Sequence, residues 1–327
     1  MLRLSVLALG LLTLSVSAPA QAPYKPAFSD AELRLAGKKG GCFTLREPGH
    51  RQGGSYEENL PKLEKLKPAW NYSWGSAYIS KQTRFINSEF VPMTWGGGSV
   101  ERLEERLKRD VIPQIRRKKV KRLLAFNEPD GKEQANMTVE QALALWPTLE
   151  KLKIPLCSPS AVHPDREWMK AFMAGAEKKG YRVDYIGVHS YGGTSAKHFK
   201  DKLKRTYEMY GGRPLLVTEF CPADWNTKGD FTKNRMTTKN VMAFAKEVLP
   251  WMEEQDWIAG YAWFSFGMHE PQGYTSALIH ADGSLTALGR YYASITPDNP
   301  KGDQSIEPDD PKEHLEAALK AAAARKK

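Results

Sequence analysis

The stretch Leu123-Leu-Ala-Phe-Asn-Glu-Pro-Asp130 decides the fold. Its first four residues are apolar and uninterrupted, which predicts a short strand buried on both faces, as is typical of a parallel sheet wrapped by helices. Pro129 ends this strand, and a residue before proline is kept out of the helical region. Glu128 is therefore expected at the carboxyl end of the strand, where a carboxylate indicates a functional role.

A second stretch, Pro214-Leu-Leu-Val-Thr-Glu-Phe-Cys-Pro222, repeats this arrangement. An apolar run again ends in a carboxylate, Glu219, with a proline close behind it. Glu128 and Glu219 are separated by about three strand-plus-helix units of roughly 30 residues each. In an eight-stranded parallel barrel all strands present their carboxyl ends at one face, so the two glutamates are predicted to meet over one cleft.

Short apolar runs and amphipathic stretches alternate along the chain. Eight alternations between residues 41 and about 294 match the roughly 250 residues typical of a (β/α)8 TIM barrel, a single α/β domain. A doubly wound open sheet is the alternative fold. The predicted strands are 41–45, 69–74, 90–94, 123–126, 156–158, 185–189, 215–218 and 259–264. The predicted helices are 56–66, 100–115, 139–152, 167–179, 197–210 and 239–255.

The amino terminus has the pattern of a secretory signal peptide. Arg3 is followed by an apolar run from Leu4 to Val16 and by the small residues Ser17-Ala-Pro-Ala20. This order predicts cleavage after Ala20 and secretion to the extracellular space or the periplasm. A membrane anchor is the competing interpretation, but it needs about 20 apolar residues and this run is shorter. The predicted segments are a signal peptide (1–20), a lead-in (21–40), the barrel domain (41–296), and a Pro- and Asp-rich linker with an Ala- and Lys-rich tail, helical or disordered (297–327).

The formal net charge of +10 raises the question of a nucleic-acid partner. Its densest cluster, Arg116-Arg-Lys-Lys119, is predicted on the return from a helix into the Leu123 strand, at the face opposite the two glutamates. No aromatic residues are interleaved with it, and no nucleic-acid motif accompanies it. The chain is therefore not expected to bind nucleic acid, while attraction to acidic cell-surface polymers remains open.

After removal of the signal peptide the chain keeps three cysteines, Cys42, Cys157 and Cys221, which cannot all pair with one another. Each closes an apolar run, so small buried core residues are predicted. A bridge between Cys42 and Cys221 is left open.

Aromatic residues gather where the predicted strands end or in the loops that follow. One such tryptophan belongs more often to a core than to a binding site, but several at the same end of a barrel indicate a ligand. Aromatic rings stack on the apolar C–H faces of sugars, so carboxylates flanked by them predict a carbohydrate cleft. These residues are Trp74, Trp95, Tyr191, Trp225, Trp263, Phe264 and Phe266.

Two carboxylates are what the cleavage of a glycosidic bond requires. One must be protonated to give its proton to the leaving oxygen, and the other ionised to attack the anomeric carbon or activate water. Structural ion pairs are the alternative interpretation of Glu128 and Glu219. Motifs of serine hydrolases, nucleotide enzymes and zinc peptidases do not occur, and the seven histidines are scattered, so neither a cofactor nor a metal is expected.

Four motifs in order resemble glycoside hydrolase family 128, the fungal and bacterial β-1,3-glucanases. The likeness runs from about residue 41 to 292 and implies a retaining (β/α)8 glycosidase. By this resemblance Glu128 is the general acid/base, Glu219 is the nucleophile, and Asn127 binds the sugar 2-hydroxyl. The motifs are Phe126-Asn-Glu-Pro-Asp130, Val188-His-Ser-Tyr-Gly192, Val217-Thr-Glu-Phe-Cys221 and Tyr261-Ala-Trp-Phe-Ser-Phe-Gly267.

The resemblance also implies roles around the two glutamates. Tyr191 is expected to hydrogen-bond the nucleophile, and His189 to line the same wall or to be a structural histidine. Trp263 is expected to form the floor beneath the cleaved sugar, followed by a cis peptide bond to Phe264. The further substrate contacts expected are Trp74, Trp95, Trp225 and Phe266.

Three hypotheses follow for the function. The first is a secreted retaining hydrolase of β-1,3-glucan, with carboxyl groups about 5–5.5 Å apart rather than above roughly 6.5 Å. The second is a retaining hydrolase of another β-glycan: β-1,4-glucan, mannan or xylan. The third is a non-catalytic carbohydrate-binding barrel. A monomer that acts on a β-glucan polysaccharide or oligosaccharide is expected, with endo or exo action left open.

Overall fold

The computed structural model describes residues 21–49, 54–78 and 88–325, so the predicted signal peptide lies outside the described residues. All eight predicted strands are present; the first five have two or three residues each, and the last three have six to eight. The strands are Gly40–Cys42 (β1), Trp70–Tyr72 (β2), Glu89–Phe90 (β3), Leu123–Leu124 (β4), Leu156–Cys157 (β5), Ile186–Gly192 (β6), Leu215–Pro222 (β7) and Ile258–Trp263 (β8).

The helices that follow the strands begin at capping residues that the sequence supplies. Ser55 and Thr138 each form a reciprocal capping box with the residue three positions on, Glu58 and Gln141. The predicted helix 100–115 is interrupted by a π-helical turn at Leu107–Val111. The helices are Asp30–Leu33 (α1), Tyr56–Leu66 (α2), Val100–Arg106 (α3), Ile112–Arg116 (α4), Val139–Glu150 (α5), Glu167–Lys178 (α6), Ala196–Met209 (α7), Thr238–Glu254 (α8), Ala287–Ser294 (α9) and Pro311–Arg325 (α10).

The strands form three parallel sheets, ordered β1-β2-β3, β4-β5 and β6-β7-β8. The parallel direction and the intervening helices confirm the predicted α/β architecture. Single parallel bridges join the sheets, between Met93 and Leu124, Cys157 and Tyr185, and Lys39 and Tyr261. Within the described ranges the ladder is therefore interrupted at three places rather than continuous over eight strands.

Two apolar clusters make up most of the core. The larger one lies between strands and helices and includes Leu63, Trp146 and Val248, which are fully buried. The second cluster takes side chains from or next to every one of the eight strands, including Trp70, Tyr72 and all but one of the cysteines. All three cysteines are buried free thiols, which confirms their predicted place in the core. The bridge between Cys42 and Cys221 is not formed.

The lead-in closes the amino-terminal end of the strands. The buried guanidinium of Arg122 pairs with Glu89 at 2.7 Å and donates to the carbonyl of Leu33 at 2.9 Å. A buried ion pair is stable only when its remaining hydrogen bonds are satisfied, as they are here. The basic cluster at 116–119 is exposed on the return into β4, as predicted. The residues at the amino-terminal end of the strands thus have a structural role.

The carboxyl-terminal segment packs on the domain as helix α10. Ala318 of α10 is fully buried against Phe231, Met268 and Tyr274, which belong to the loops after β7 and β8. The Asp309 carboxylate, in the preceding linker, accepts hydrogen bonds from the first backbone N–H of α9. Of the two alternatives for the tail, the helix is the one formed. The described helices include none with the length and apolar character needed to cross a membrane.

Candidate active site

Glu219 lies in β7 and is almost completely buried, with 6% of its side chain exposed. A register shift after Val188 pairs it with His189 of β6. Three donors hold its carboxylate: Trp74 Nε1 at 2.7 Å and Tyr72 OH at 3.1 Å on Oε1, and the Tyr191 hydroxyl on Oε2. Hydrogen bonds of this kind stabilise a negative charge and fix its orientation. The three donors therefore fix the orientation of the Glu219 carboxylate.

Glu128 follows β4 and is more open, with 13% of its side chain exposed. Its N–H donates to the Ser160 carbonyl at 2.8 Å. Its φ of 41° is outside the right-handed helical region, as the place before Pro129 predicts, but lies in the left-handed region that few non-glycine residues adopt. Such strain gathers at functional sites and costs about 1–3 kcal/mol. The backbone here turns the carboxylate towards His189, whose Nδ1 lies 2.8 Å from Oε1.

The two carboxylates meet at one site. One oxygen of Glu128, one of Glu219 and a ring nitrogen of His189 all lie within 4.8 Å of one another. This separation fits the carboxyl pair of a retaining glycosidase, about 5–5.5 Å, and not the wider pair of an inverting one. The spacing would also suit metal ligands, but Glu219 Oε1 already accepts bonds from Tyr72 and Trp74. These hydrogen bonds to Glu219 are those expected of one carboxyl group in a catalytic pair.

The groups around the glutamates have shifted pKa values. Burial lowers the pKa of His189, but the charges of Glu219 and Glu128 outweigh it, and the net shift is upward. Burial and the Glu219 charge raise the pKa values of Tyr191 and Tyr72 well above the ordinary tyrosine value. Both tyrosines therefore keep their protons and act as donors to Glu219.

A cavity of about 490 Å³ opens above the pair. A larger one, about 650 Å³, lies at the opposite end of the strands. There Lys38 and Lys39 donate to backbone carbonyls at the ends of α8 and α9, which is a structural role. The chemistry is confined to the smaller cavity. Its lining comprises both glutamates and Trp74, Trp95, Asn127, Gln134, Val162, His163, Tyr191, Lys202, Trp225, Phe264 and Phe266.

Most of the aromatic residues predicted for the cleft line this cavity. Trp74 and Phe264 make an edge contact at 5.9 Å, and Tyr191 packs against Trp225 and Phe266. Trp95 and Trp225 are 38% and 60% exposed, so their rings are free to meet a ligand.

Trp263 does not form the predicted floor. Its ring is buried and does not line the cavity, and Nε1 donates to the Ser276 carbonyl at 2.9 Å. Phe264, the first residue after β8, lines the cavity instead. The predicted cis peptide bond after Trp263 is wrong, since that bond is trans.

Asn127 lines the cavity and has one unpaired acceptor. Its Nδ2 donates to Gln134 Oε1 at 3.2 Å, while its buried Oδ1 has no hydrogen-bond partner. Tyr72, Gln134, His163 and Lys202 were not predicted from the sequence. Tyr72 stands two residues before Trp74 within the predicted strand 69–74, and the alternation expected of that strand was a signal that could have found it. Lys202 is one basic residue among several on α7 and carries no such signal.

Two carboxylates at retaining distance beneath an aromatic wall, at the carboxyl ends of parallel strands, define a glycosidase. The chain belongs to the glycosyl hydrolase catalytic core family, whose model matches residues 51–292. A search of curated protein sequences found no match.

Solved structures with the same fold are members of glycoside hydrolase family 128. A mutant endo-β-1,3-glucanase of subgroup I from Amycolatopsis mediterranei, in complex with laminarihexaose, is 26% identical, with a TM-score of 0.61 over 78% of this chain and 98% of that one. A subgroup II endo-β-1,3-glucanase from Sorangium cellulosum is 25% identical, with a TM-score of 0.60 over 79% and 98%. These neighbours support the family assignment that the four motifs predict.

A third neighbour shows the fold alone. It is a subgroup V exo-β-1,3-glucanase from Cryptococcus neoformans, 23% identical, with a TM-score of 0.59 over 79% of this chain and 98% of that one.

Proposed function

We propose that this glycosidase hydrolyses β-1,3-glucan with retention of anomeric configuration, by endo action. The observation that carries the proposal is the pair Glu128 and Glu219, with carboxylate oxygens within 4.8 Å beside a cavity of sugar-stacking rings. The solved neighbours at 25–26% identity are endo-β-1,3-glucanases, and one of them holds a laminari-oligosaccharide. They favour a β-1,3 linkage over another β-glycan and catalysis over binding alone.

The proposal includes one closed (β/α)8 barrel as the scaffold. Parallel bridges between each pair of adjacent sheets, including Lys39 with Tyr261 at the junction of β1 and β8, support a ring. The cluster with side chains from or next to every strand supports it too, because a closed ring encloses such a cluster. In this scaffold 41–296 is the catalytic domain. Residues 1–20 are proposed to be a signal peptide that directs secretion.

The reaction proceeds by double displacement. Glu128, as the acid, gives its proton to the glycosidic oxygen while Glu219 attacks the anomeric carbon, so that the sugar becomes ester-linked to Glu219 and the leaving chain departs. Glu128, now ionised, takes a proton from water, whose oxygen attacks the same carbon and releases Glu219. The more exposed carboxylate is thus the one that meets leaving group and water, and the buried one, held by three donors, is the nucleophile.

The remaining side chains hold the sugar. The rings of Trp74, Phe264 and Phe266 offer stacking faces, and Trp95 and Trp225 extend the platform. Asn127 Oδ1, which is otherwise unpaired, accepts a hydrogen bond from the 2-hydroxyl, a contact that strengthens towards the transition state.

Laminarin digestion tests the proposal. The wild-type protein should release oligosaccharides of several lengths from laminarin and much less product from cellulose, mannan or xylan, with the β-anomer appearing first by NMR. Glu128→Gln and Glu219→Gln should each lower kcat by about 10²–10⁴-fold. Near-wild-type turnover by either variant would remove that residue from the mechanism. Glucan binding without release of reducing sugar by the wild type would favour the binding barrel.

A further inference from the structure

The active-site cavity has two unlike walls. On the side of β7 and β8 it is aromatic, with Trp225, Phe264 and Phe266. On the side of Glu128 it is polar, with Gln134 from the loop after β4, His163 from the loop after β5, and Lys202 from α7. The mechanism above uses the aromatic wall and the glutamates, so the polar wall has no role in it.

Lys202 is the charged group of this polar wall. Its Nζ donates to the carbonyl of His189 at 3.1 Å and to Ser190 Oγ at 3.3 Å, and both acceptors are neutral. In the described part of the chain no carboxylate pairs with it directly. An ammonium group has three donors, so two are used and one remains. The two anchors fix Nζ at the cavity wall, and the third N–H is available to a ligand.

An ammonium group in this position is costly. Burial lowers the pKa of Lys202, and only the more distant charge of Asp165 opposes that shift. A partly buried charge with neutral partners is a poor choice for stability, since an apolar residue could fill the same space on α7. The position therefore favours a role in the cavity over a purely structural one.

The wall that carries Lys202 also carries the acid. Lys202 is bonded to the backbone of His189, and the His189 ring is bonded to Glu128. Glu128 faces the leaving oxygen in the proposed reaction, so the polar wall borders the sugar that leaves. A sugar ring offers hydroxyl oxygens there, which accept hydrogen bonds from an ammonium group.

We propose that Lys202 is a specificity-determining residue, which donates a hydrogen bond to a hydroxyl of the glucan unit on the leaving side of the scissile bond. The inference rests on the proposed glucanase function. If the inference is right, replacing Lys202 lowers activity only on substrates whose leaving group offers a hydroxyl to the ammonium group. A residue that only ties α7 to β6 would affect all substrates alike.

Two substrates separate these cases: a laminari-oligosaccharide, and a cyclohexyl β-glycoside of the same sugar, whose alkyl leaving group needs the acid as a sugar does but carries no hydroxyl. Lys202→Met should lower kcat/KM for the oligosaccharide by about ten- to a hundredfold, the effect of one hydrogen bond to a charged group. For the cyclohexyl glycoside the change should stay within about threefold, whereas a disturbed Glu128 would slow both substrates. Ser190→Ala removes one anchor but keeps the ammonium, and should change neither value by more than about threefold.

Equal losses on both substrates, or no loss on either, would overturn the inference. Lys202→Gln is a second variant for the case in which the methionine variant fails to fold, and thermal unfolding of each variant checks folding. The wild-type digestion of laminarin separates the two levels of the proposal. If the wild type does not cleave laminarin, the proposed function fails; if it does and Lys202→Met matches it on both substrates, only the role of Lys202 fails.

Discussion

His189 Nδ1 lies 2.8 Å from Glu128 Oε1, so the proposed acid is bonded to a fully buried ring. The other ring nitrogen lies 3.5 Å from Glu219 Oε1, beyond a good hydrogen bond but close enough for charge to matter. One imidazole thus stands between both carboxylates. Protonated, it is attracted to both; neutral, it leaves two buried acids without a cation between them.

The first prediction concerns stability and pH. The charges of Glu219 and Glu128 overcome burial and the opposing charge of Lys202, so the pKa of His189 is raised in the folded state. Its ordinary value is about 6.5. The stabilisation of the folded protein by protonated His189 is therefore fully present below about pH 6.5. It is lost as the pH rises through the raised pKa that His189 has in the folded state. As the pH rises from about 6.5 through this pKa, we expect the melting temperature of the wild-type protein to fall further than the melting temperature of the His189→Asn variant.

Thermal unfolding between pH 5 and 9 measures this difference. Asparagine can still donate to Glu128 but does not titrate, so it isolates the proton. Parallel curves for the two proteins would contradict the prediction.

The second prediction concerns the Tyr191 hydroxyl, which donates to Glu219 Oε2. Burial raises the pKa of Tyr191 well above the ordinary value, so the hydroxyl remains a donor at neutral pH. Tyr191→Phe removes one hydrogen bond to a charged group while the ring still packs against Phe264. We expect kcat to fall about ten- to a hundredfold with little change in KM.

Tyr210→Phe is the matched control, because Tyr210 is a buried tyrosine whose hydroxyl donates to the Pro164 carbonyl and not to either glutamate. It should lower the melting temperature and leave kcat close to wild type. A loss confined to KM in Tyr191→Phe would show that the hydroxyl binds substrate instead of supporting the nucleophile.

Much of the strand and helix order and the meeting of the two glutamates could be predicted from the sequence. Uninterrupted apolar runs ending in Glu128 and Glu219 are a local signal, and parallel strands bring such ends together. The left-handed backbone of Glu128 could not be predicted, because proline restricts the preceding residue without selecting that region. The register shift that places His189 beside Glu219 depends on pairing between strands, which no single stretch encodes.

The sequence also could not determine which aromatic side chains form the wall of the cavity. Trp263 is the last residue of β8 and Phe264 is the first after it, and only one of the two side chains lines the cavity. The sequence does not fix which one, so the resemblance to the family placed Trp263 at the cavity while the structure places Phe264 there. Lys202 lies on a helix with several other basic residues, and only tertiary packing distinguishes it.

The third prediction concerns Trp225, which is 60% exposed at the mouth of the cavity. It touches Tyr191 and Phe266 only by edge contacts, at 5.8 and 6.0 Å. Trp225→Ala should change the free energy of unfolding by less than about 0.5 kcal/mol, as for a surface residue. KM for laminari-oligosaccharides should rise about two- to tenfold, the value of one aromatic stacking contact.

Trp225→Tyr keeps a stacking ring and should restore most of the affinity. Chemical denaturation and initial rates on oligosaccharides of increasing length measure the two quantities. A large loss of stability with unchanged KM would mean that the ring supports the loop and does not bind sugar.

The last prediction concerns helix α10, which follows the segment matched by the family model. It packs through Ala318 on Phe231 and Tyr274, which lie in the loops after β7 and β8. Those loops are joined by bonds from Asn234 Nδ2 to the Pro271 carbonyl and from Asp224 N to the Gln272 carbonyl, both at 2.8 Å. The same loops carry Trp225 and border Phe266, so α10 supports the aromatic wall from behind.

Ala318→Asp places a charge where the side chain is fully buried, and an unpaired buried charge is strongly unfavourable. We expect α10 to detach, with faster amide hydrogen exchange over residues 311–325 and a several-fold rise in KM for laminarin. Leu319→Asp is the matched control, because Leu319 is the next residue of α10 and is 47% exposed. It should leave both quantities near wild type. If the two variants behave alike, or if α10 detaches while KM stays constant, the helix does not support the cleft, since Ala318 is buried against the loops that carry the aromatic wall and Leu319 is exposed.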